Sequence, residues 1–198
     1  MNNKVIIAVL AVLVICAVLV TAYLVLADNK DASEVSFTED EVSFTEEELS
    51  VYGITLQKEE MRIVLHDVAT LDGTPFDSSD IPKKYVMLTF WASWCPDCIE
   101  ENPSLQRLYE DRESETFSIV TISIDTNQAM LEAYLEANEF DFPVLINDKN
   151  NLWQEYFPVI PTSFLLNPDG LVTARIADST DWDSKEARQM LDYLISLS

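Results

Sequence analysis

Tyr85-Val-Met-Leu-Thr-Phe90-Trp-Ala-Ser-Trp-Cys95-Pro-Asp-Cys98 is the stretch from which the rest of the chain is read. Tyr85 to Phe90 is a continuous apolar run, the pattern of a strand buried on both faces. From Cys95 to about Glu110 the apolar residues recur at helical spacing, with Leu105, Leu108 and Tyr109 as the inward face. A buried strand therefore ends and a helix begins at the two cysteines. Cysteines three apart at a helix start can close a small disulfide ring within one turn. The first thiol lies beside unpaired backbone amides and the positive end of the helix dipole, which stabilise its thiolate. Cys95 is thus the expected nucleophile, and Cys98, further into the helix, the residue that resolves a mixed disulfide. Zinc is the rival for such a pair, but a structural zinc site needs four ligands. The chain offers only Cys16, in an apolar segment, and the distant His66 besides. A purely structural disulfide stays open as an alternative.

Outward from this junction, strands and helices alternate. Ile63 to Leu71 alternates in polarity and is followed by Asp72-Gly73, a hairpin signal. Phe117 to Ile124 is a second buried strand rich in branched residues. Asn127 to Ala137 reads as a helix with Met130, Leu131, Tyr134 and Leu135 as its apolar stripe. Pro143 to Ile146 is a short strand and Leu152 to Tyr156 a short helix. Thr162 to Leu166 and Leu171 to Ile176 flank the turn Asn167-Pro-Asp-Gly170 and form a hairpin. Lys185 to Leu197 closes the chain as an amphipathic helix, with Met190, Leu191, Leu194 and Ile195 inward. The order implies an α/β domain with a mixed central sheet flanked by helices.

Phe90-Trp-Ala-Ser-Trp-Cys-Pro-Asp-Cys98 resembles the active-site stretch of the thioredoxin superfamily, and within it that of the membrane-anchored thiol–disulfide oxidoreductases of the TlpA/ResA type. The resemblance runs from about Ile63 to the C-terminus and implies a thioredoxin-like fold. Its second landmark is Ile160-Pro161-Thr162 before a strand. The resemblance implies a cis Pro161 packed against the cysteines, with the backbone of Ile160 holding a substrate strand. Trp94, Pro96, Ile160 and Thr162 are then the expected substrate contacts, with Trp91 and Trp94 flanking the thiols. The third landmark, Cys98-Ile-Glu-Glu101-Asn-Pro103, implies that Glu101 influences proton movement at the thiols. At helical spacing Glu101 lies one turn beyond Cys98; a solvated helix carboxylate is the plainer reading. No bound cofactor is implied beyond the Cys95–Cys98 disulfide itself.

Three departures from the family pattern matter. Thioredoxin buries an aspartate where this chain has Thr89, which leaves Glu101 as the candidate acid. Between the cysteines stand Pro96-Asp97, and a negative charge beside a thiolate stabilises the disulfide and favours a reducing protein, with a disulfide-forming oxidase using the same pair as the alternative. Tyr156-Phe-Pro-Val-Ile-Pro161 is shorter by about one residue than the expected loop. A peroxide-reducing relative would need a Thr-x-x-Cys with a nearby arginine, whereas Ser93 stands too close to Cys95 for that spacing. His66 is read as a surface or half-buried histidine, and Trp153 and Trp182 as packing or surface residues.

The N-terminal third is different in character. Val5 to Ala27 holds 23 residues with no charged side chain, long enough at 1.5 Å per residue to span a hydrocarbon core of roughly 30 Å. Residues 1–27 are therefore read as an uncleaved membrane anchor, with a signal peptide cleaved after Val25-Leu26-Ala27 as the alternative. Lys4 precedes the segment and acids follow it, which places the C-terminal domain outside the cytoplasm of a single-pass protein. Residues 28–50 carry nine acids and one base and contain the tandem Glu34-Val-Ser-Phe-Thr-Glu39-Asp40 and Glu41-Val-Ser-Phe-Thr-Glu46-Glu47. They read as an extended, self-repelling spacer, leaving residues 51–198 as the domain. A formal charge of −23, from 35 acids against 12 bases, excludes nucleic acid as a partner. The expected partners are protein dithiols and disulfides, together with a membrane electron-transfer protein, since no second cysteine pair exists here to relay electrons.

Overall fold

β4, Tyr85–Trp91, is apolar at nearly every position because nothing on either side of it meets water; all its residues after Tyr85 are buried. The computed structural model describes residues 43–147, 149, 152, 156 and 159–197. The chain divides into two units, of which the second, Val42–Ser198, carries the fold described here. Its elements are α1 (Glu46–Val51), β1 (Ile54–Leu56), β2 (Val68–Thr70), β3 (Pro75–Phe76), β4, α2 (Pro96–Arg112), β5 (Phe117–Ser123), α3 (Gln128–Asn138), β6 (Val144–Ile146), β7 (Thr162–Leu166), β8 (Val172–Ile176) and α4 (Lys185–Ser196). Among the described residues one eight-stranded sheet runs in the order β1-β8-β7-β4-β5-β6-β2-β3. It is mixed: β4 pairs parallel with β5 and antiparallel with β7.

Both central strands are followed by crossover helices, as parallel pairing requires. α2 links β4 to β5 and α3 links β5 to β6. The two helices touch where Asn102 Nδ2 donates to the Tyr134 hydroxyl at 3.2 Å, and the Gln106 side-chain oxygen accepts from the amide of Asp141, just beyond α3, at 3.1 Å. α4 lies on the other side of α2, joined by Arg112–Asp192 at 2.7 Å and Arg188–Asp111 at 2.8 Å. Its inward stripe is Met190, Leu191 and Leu194, with Ile195 half-buried. In α3 only Leu131 and Leu135 are buried. Met130, expected inward, is 63 % exposed, because it stands about 100° around the helix from Leu131, beyond a narrow contact.

The folded unit begins before residue 51. Thr45 caps α1 and forms a reciprocal capping box with Glu48, while Leu49 is buried in the common core. Phe44 meets Tyr193 of α4 edge-on at 5.4 Å between ring centroids, and the Tyr193 hydroxyl donates to the Phe44 carbonyl at 3.0 Å. The end of the acidic stretch, expected to be spacer up to residue 50, is therefore part of the fold; its charged residues face water and its two apolar ones face the domain. The first copy of the tandem repeat, the expected membrane helix at Val5 to Ala27 and most of the short helix expected at Leu152 to Tyr156 lie outside the described residues. Among the described residues no helix is long and apolar enough to cross a membrane. Leu49→Ala is expected to lower the unfolding free energy by about 2–4 kcal/mol in denaturant titrations, whereas a spacer leucine would leave it unchanged.

Candidate active site

The turn after β4 is held from below by one carboxylate. Asp125, buried just beyond β5, accepts the Ser93 amide at 2.8 Å, the Ser93 hydroxyl at 2.7 Å and the Ser123 hydroxyl at 2.7 Å. The Cys95 amide then closes the turn onto the Ala92 carbonyl at 3.2 Å. Cys95 is the N-cap of α2: its backbone is still extended, and its sulfur accepts the Cys98 amide at 3.2 Å. Pro96 occupies the first helical position, where a missing N–H costs nothing and a fixed φ favours the helix. Cys95 and Cys98 are joined as a disulfide with Cα atoms 5.2 Å apart. Cys95 is 4 % exposed and Cys98 fully buried, so Cys95 is the sulfur an incoming substrate reaches.

Sheet register brings the second landmark to the same place. Phe90 of β4 pairs with Thr162, the first residue of β7, so the residues before Thr162 face the end of β4. The Ile160–Pro161 peptide is cis. Its Ile160 carbonyl oxygen lies 3.7 Å from the Cys95 sulfur, positioned to accept from the thiol once the pair is reduced. Thr162, expected to touch substrate, is buried, and its hydroxyl donates to the Val159 carbonyl at 2.9 Å; it shapes the loop from inside. Pro96 is exposed and Ile160 half-buried. Trp94, the residue before Cys95, is 60 % exposed. Trp91 is fully buried, with Tyr134 and Phe142 rings 5.8 and 6.0 Å away.

Glu101 is the buried acid of the active-site helix. It is 2 % exposed, which removes the solvated-carboxylate reading. Its Oε1 accepts the Trp182 indole N–H at 2.8 Å and the Thr180 amide at 3.2 Å. Burial pushes its pKa up to about 8; the two donors oppose the rise without cancelling it, and the negative charge of Asp178 adds to it. Thr89, at the place where thioredoxin carries an aspartate, is uncharged and shares a hydrogen bond of 2.8 Å with Ser163. Asp125 was not singled out by sequence reasoning, and Trp182 was read only as a packing or surface residue. For Asp125 the signal available was a carboxylate directly following a buried strand; for Trp182 it was a tryptophan between two aspartates.

The oxidised, folded protein holds a proton on Glu101 that the unfolded chain releases near 4.5. Its stability is therefore fully present below that value and declines as pH rises toward about 8, by up to ~1.4 kcal/mol per pH unit. Glu101→Gln removes the decline. Urea unfolding at pH 5, 6.5 and 8 should show the wild type losing stability relative to the variant, and parallel curves would contradict the assignment.

A model of the AhpC/TSA family matches residues 62–175. The sporulation thiol-disulfide oxidoreductase A of Bacillus subtilis is 35 % identical over 120 residues, covering 58 % of this chain and 73 % of that one. The thiol-disulfide oxidoreductase ResA of Oceanobacillus iheyensis is 29 % identical over 118 residues, covering 59 % of this chain and 61 % of that relative's length. The crystal structure of StoA from Bacillus subtilis superposes with a TM-score of 0.51 at 29 % identity, covering 72 % of this chain and 96 % of that one. With thioredoxin-like topology, a helix-capping disulfide and a family match over more than half of the sequence, the chain belongs to the AhpC/TSA family.

Proposed function

We propose that the protein is a membrane-anchored, extracytoplasmic thiol–disulfide oxidoreductase that reduces protein disulfides, cysteine pairs of apocytochromes among them, through Cys95 and Cys98. The observation that carries this reading is the position of the disulfide: it caps α2 at the end of the central strand, with its accessible sulfur against the Ile160–Pro161 step. A sulfur that accepts a helix N-terminal amide is stabilised as a thiolate and as a leaving group, and both are what exchange requires. The names of the relatives support the same chemistry.

In the reducing direction the Cys95 thiolate attacks a substrate disulfide, one substrate sulfur leaves, and Cys95 is held as a mixed disulfide. Cys98 then attacks Cys95, forming the bond seen here and releasing the second substrate sulfur. The backbone at Ile160 offers hydrogen bonds to an extended substrate segment, with Trp94 and Val159 as exposed apolar contacts on its rim. Asp97, exposed between the cysteines, favours the disulfide over the dithiol and so supports reduction of substrates. Regeneration then needs electrons from a membrane partner, because Cys16 is the only other cysteine. The anchor rests on the uncharged run Val5 to Ala27, with Lys4 on its cytoplasmic side.

The near-burial of both sulfurs favours a second reading, a binding module whose disulfide only staples the helix start. Substitution separates the two. Cys95→Ser is expected to abolish reduction of a protein disulfide such as insulin, and Cys98→Ser to accumulate a covalent mixed disulfide visible by mass spectrometry. Retention of function in the doubly serine-substituted, folded protein would establish the binding module instead.

A further inference from the structure

The segment that follows β8 lies along the active-site helix as a strap. The Ser179 hydroxyl donates to the Asp97 carbonyl at 3.1 Å, the Thr180 amide to Glu101 Oε1 at 3.2 Å, and the Trp182 amide to the Ser104 hydroxyl at 3.0 Å. Cys98, Glu101 and Ser104 recur every three residues and so share one face of α2, the face the strap covers. Trp182 is held at both ends, its backbone by Ser104 and its indole N–H by Glu101 at 2.8 Å. A buried indole N–H needs an acceptor, and the one it has here is the carboxyl group one turn from Cys98.

The two oxygens of that carboxyl group are not equivalent. Both donors converge on Oε1, while Oε2 is buried and has no hydrogen-bond partner among the described residues. A carboxylic acid that faces two N–H donors with one oxygen must carry its proton on the other. On α2 the group one turn back on the same face is Cys98, a thiol once the disulfide is reduced, and on the strap the charged group acting on Glu101 is Asp178.

Resting on the oxidoreductase reading above, we infer that Trp182 is a positioning residue for the thiol chemistry: with the Thr180 amide it holds Glu101 Oε1 as an acceptor, leaving Oε2 as the oxygen that exchanges a proton with Cys98. In the resolving step the Glu101 carboxylate takes the Cys98 proton on Oε2. The Cys98 sulfur then bonds to the Cys95 sulfur, and the bond from Cys95 to the substrate breaks. The substrate sulfur departs with the bonding electron pair as a thiolate, so two electrons pass from the cysteine pair to the substrate. Glu101 is left neutral, the form that burial favours in the oxidised protein.

The test is Trp182→Phe in the full-length protein, which removes the N–H and keeps an aromatic ring. The Glu101 carboxyl titration, read by carbon-13 NMR in the oxidised state, is expected to move up by about one pH unit, since a donor to the charged form is gone. Release of substrate from a preformed mixed disulfide is expected to slow roughly tenfold below the titration midpoint, with its pH profile displaced by the same amount. In a Glu101→Gln background the same substitution is expected to change the release rate no further. A Glu101 titration unmoved by Trp182→Phe, or equal slowing in both backgrounds, overturns the inference. If the phenylalanine variant does not fold, the wild-type Trp182 indole N–H resonance decides: it is expected to titrate with Glu101 and to stay fixed in Glu101→Gln, and one that ignores pH overturns the inference. A wild-type protein inert toward disulfides overturns the oxidoreductase reading and is recognised separately, because the titrations need no substrate.

Discussion

The Cys98 amide points at the Cys95 sulfur from 3.2 Å, and the arrangement of the site depends on this contact. It is an N-cap in which sulfur stands in for the usual side-chain oxygen, so one interaction both starts α2 and polarises the reactive atom. To hold it, the chain must bring a buried strand to an abrupt end and turn it into a helix over the four residues Ala92 to Cys95. β4 supplies the rigid strand, Asp125 fixes the turn through Ser93, and Pro96 sets the first helical residue. The same strand, through its pairing with β7, carries the Ile160–Pro161 step to the sulfur, so nucleophile and substrate backbone site are positioned by one ladder.

The opposite end of the chemistry is a problem of charge in a dry place. Cys98 is sealed from water, and a proton leaving it needs a nearby acceptor. An ionised carboxylate at such depth is costly unless donors surround it, and Glu101 has donors on one oxygen only. Its neutral form is thus favoured in the oxidised protein, with its pKa at about 8, near enough to ordinary pH for the group to move a proton either way. Burial raises the value, and the donors that hold it in check come from the strap, a loop between the last strand and the last helix, and from a tryptophan that belongs to no regular element.

What was legible in the sequence is what local spacing encodes. The apolar run of β4, the branched run of β5, the helical pattern of α2 and the turn Asn167-Pro-Asp-Gly170 all appear where periodicity placed them. The cysteine pair was legible from its spacing at a helix start, and Pro161 through family resemblance. The link from Trp182 to Glu101 was not: 81 residues separate them, and no local pattern reports a contact made only after the sheet has formed. Asp125 was hidden for the same reason, since its bonds reach back across the β4–β5 pair to Ser93. α1 was hidden differently. Its signal, Thr45 three residues before Glu48, is local, but the surrounding acids make the stretch look like unstructured spacer. Burial of Leu49 and the Phe44–Tyr193 contact outweigh that repulsion.

The account stands or falls on whether Cys95 and Cys98 form a reversible redox couple with a reducing potential. Equilibrating the full-length protein with graded dithiothreitol or glutathione buffers, and counting free thiols by alkylation, measures it directly. The predicted result is a two-electron couple near about −270 mV, in the range of thioredoxin. A potential near about −120 mV would make the protein a disulfide-forming oxidase, and a pair that stays oxidised well below about −300 mV would make the bond structural; either contradicts the account.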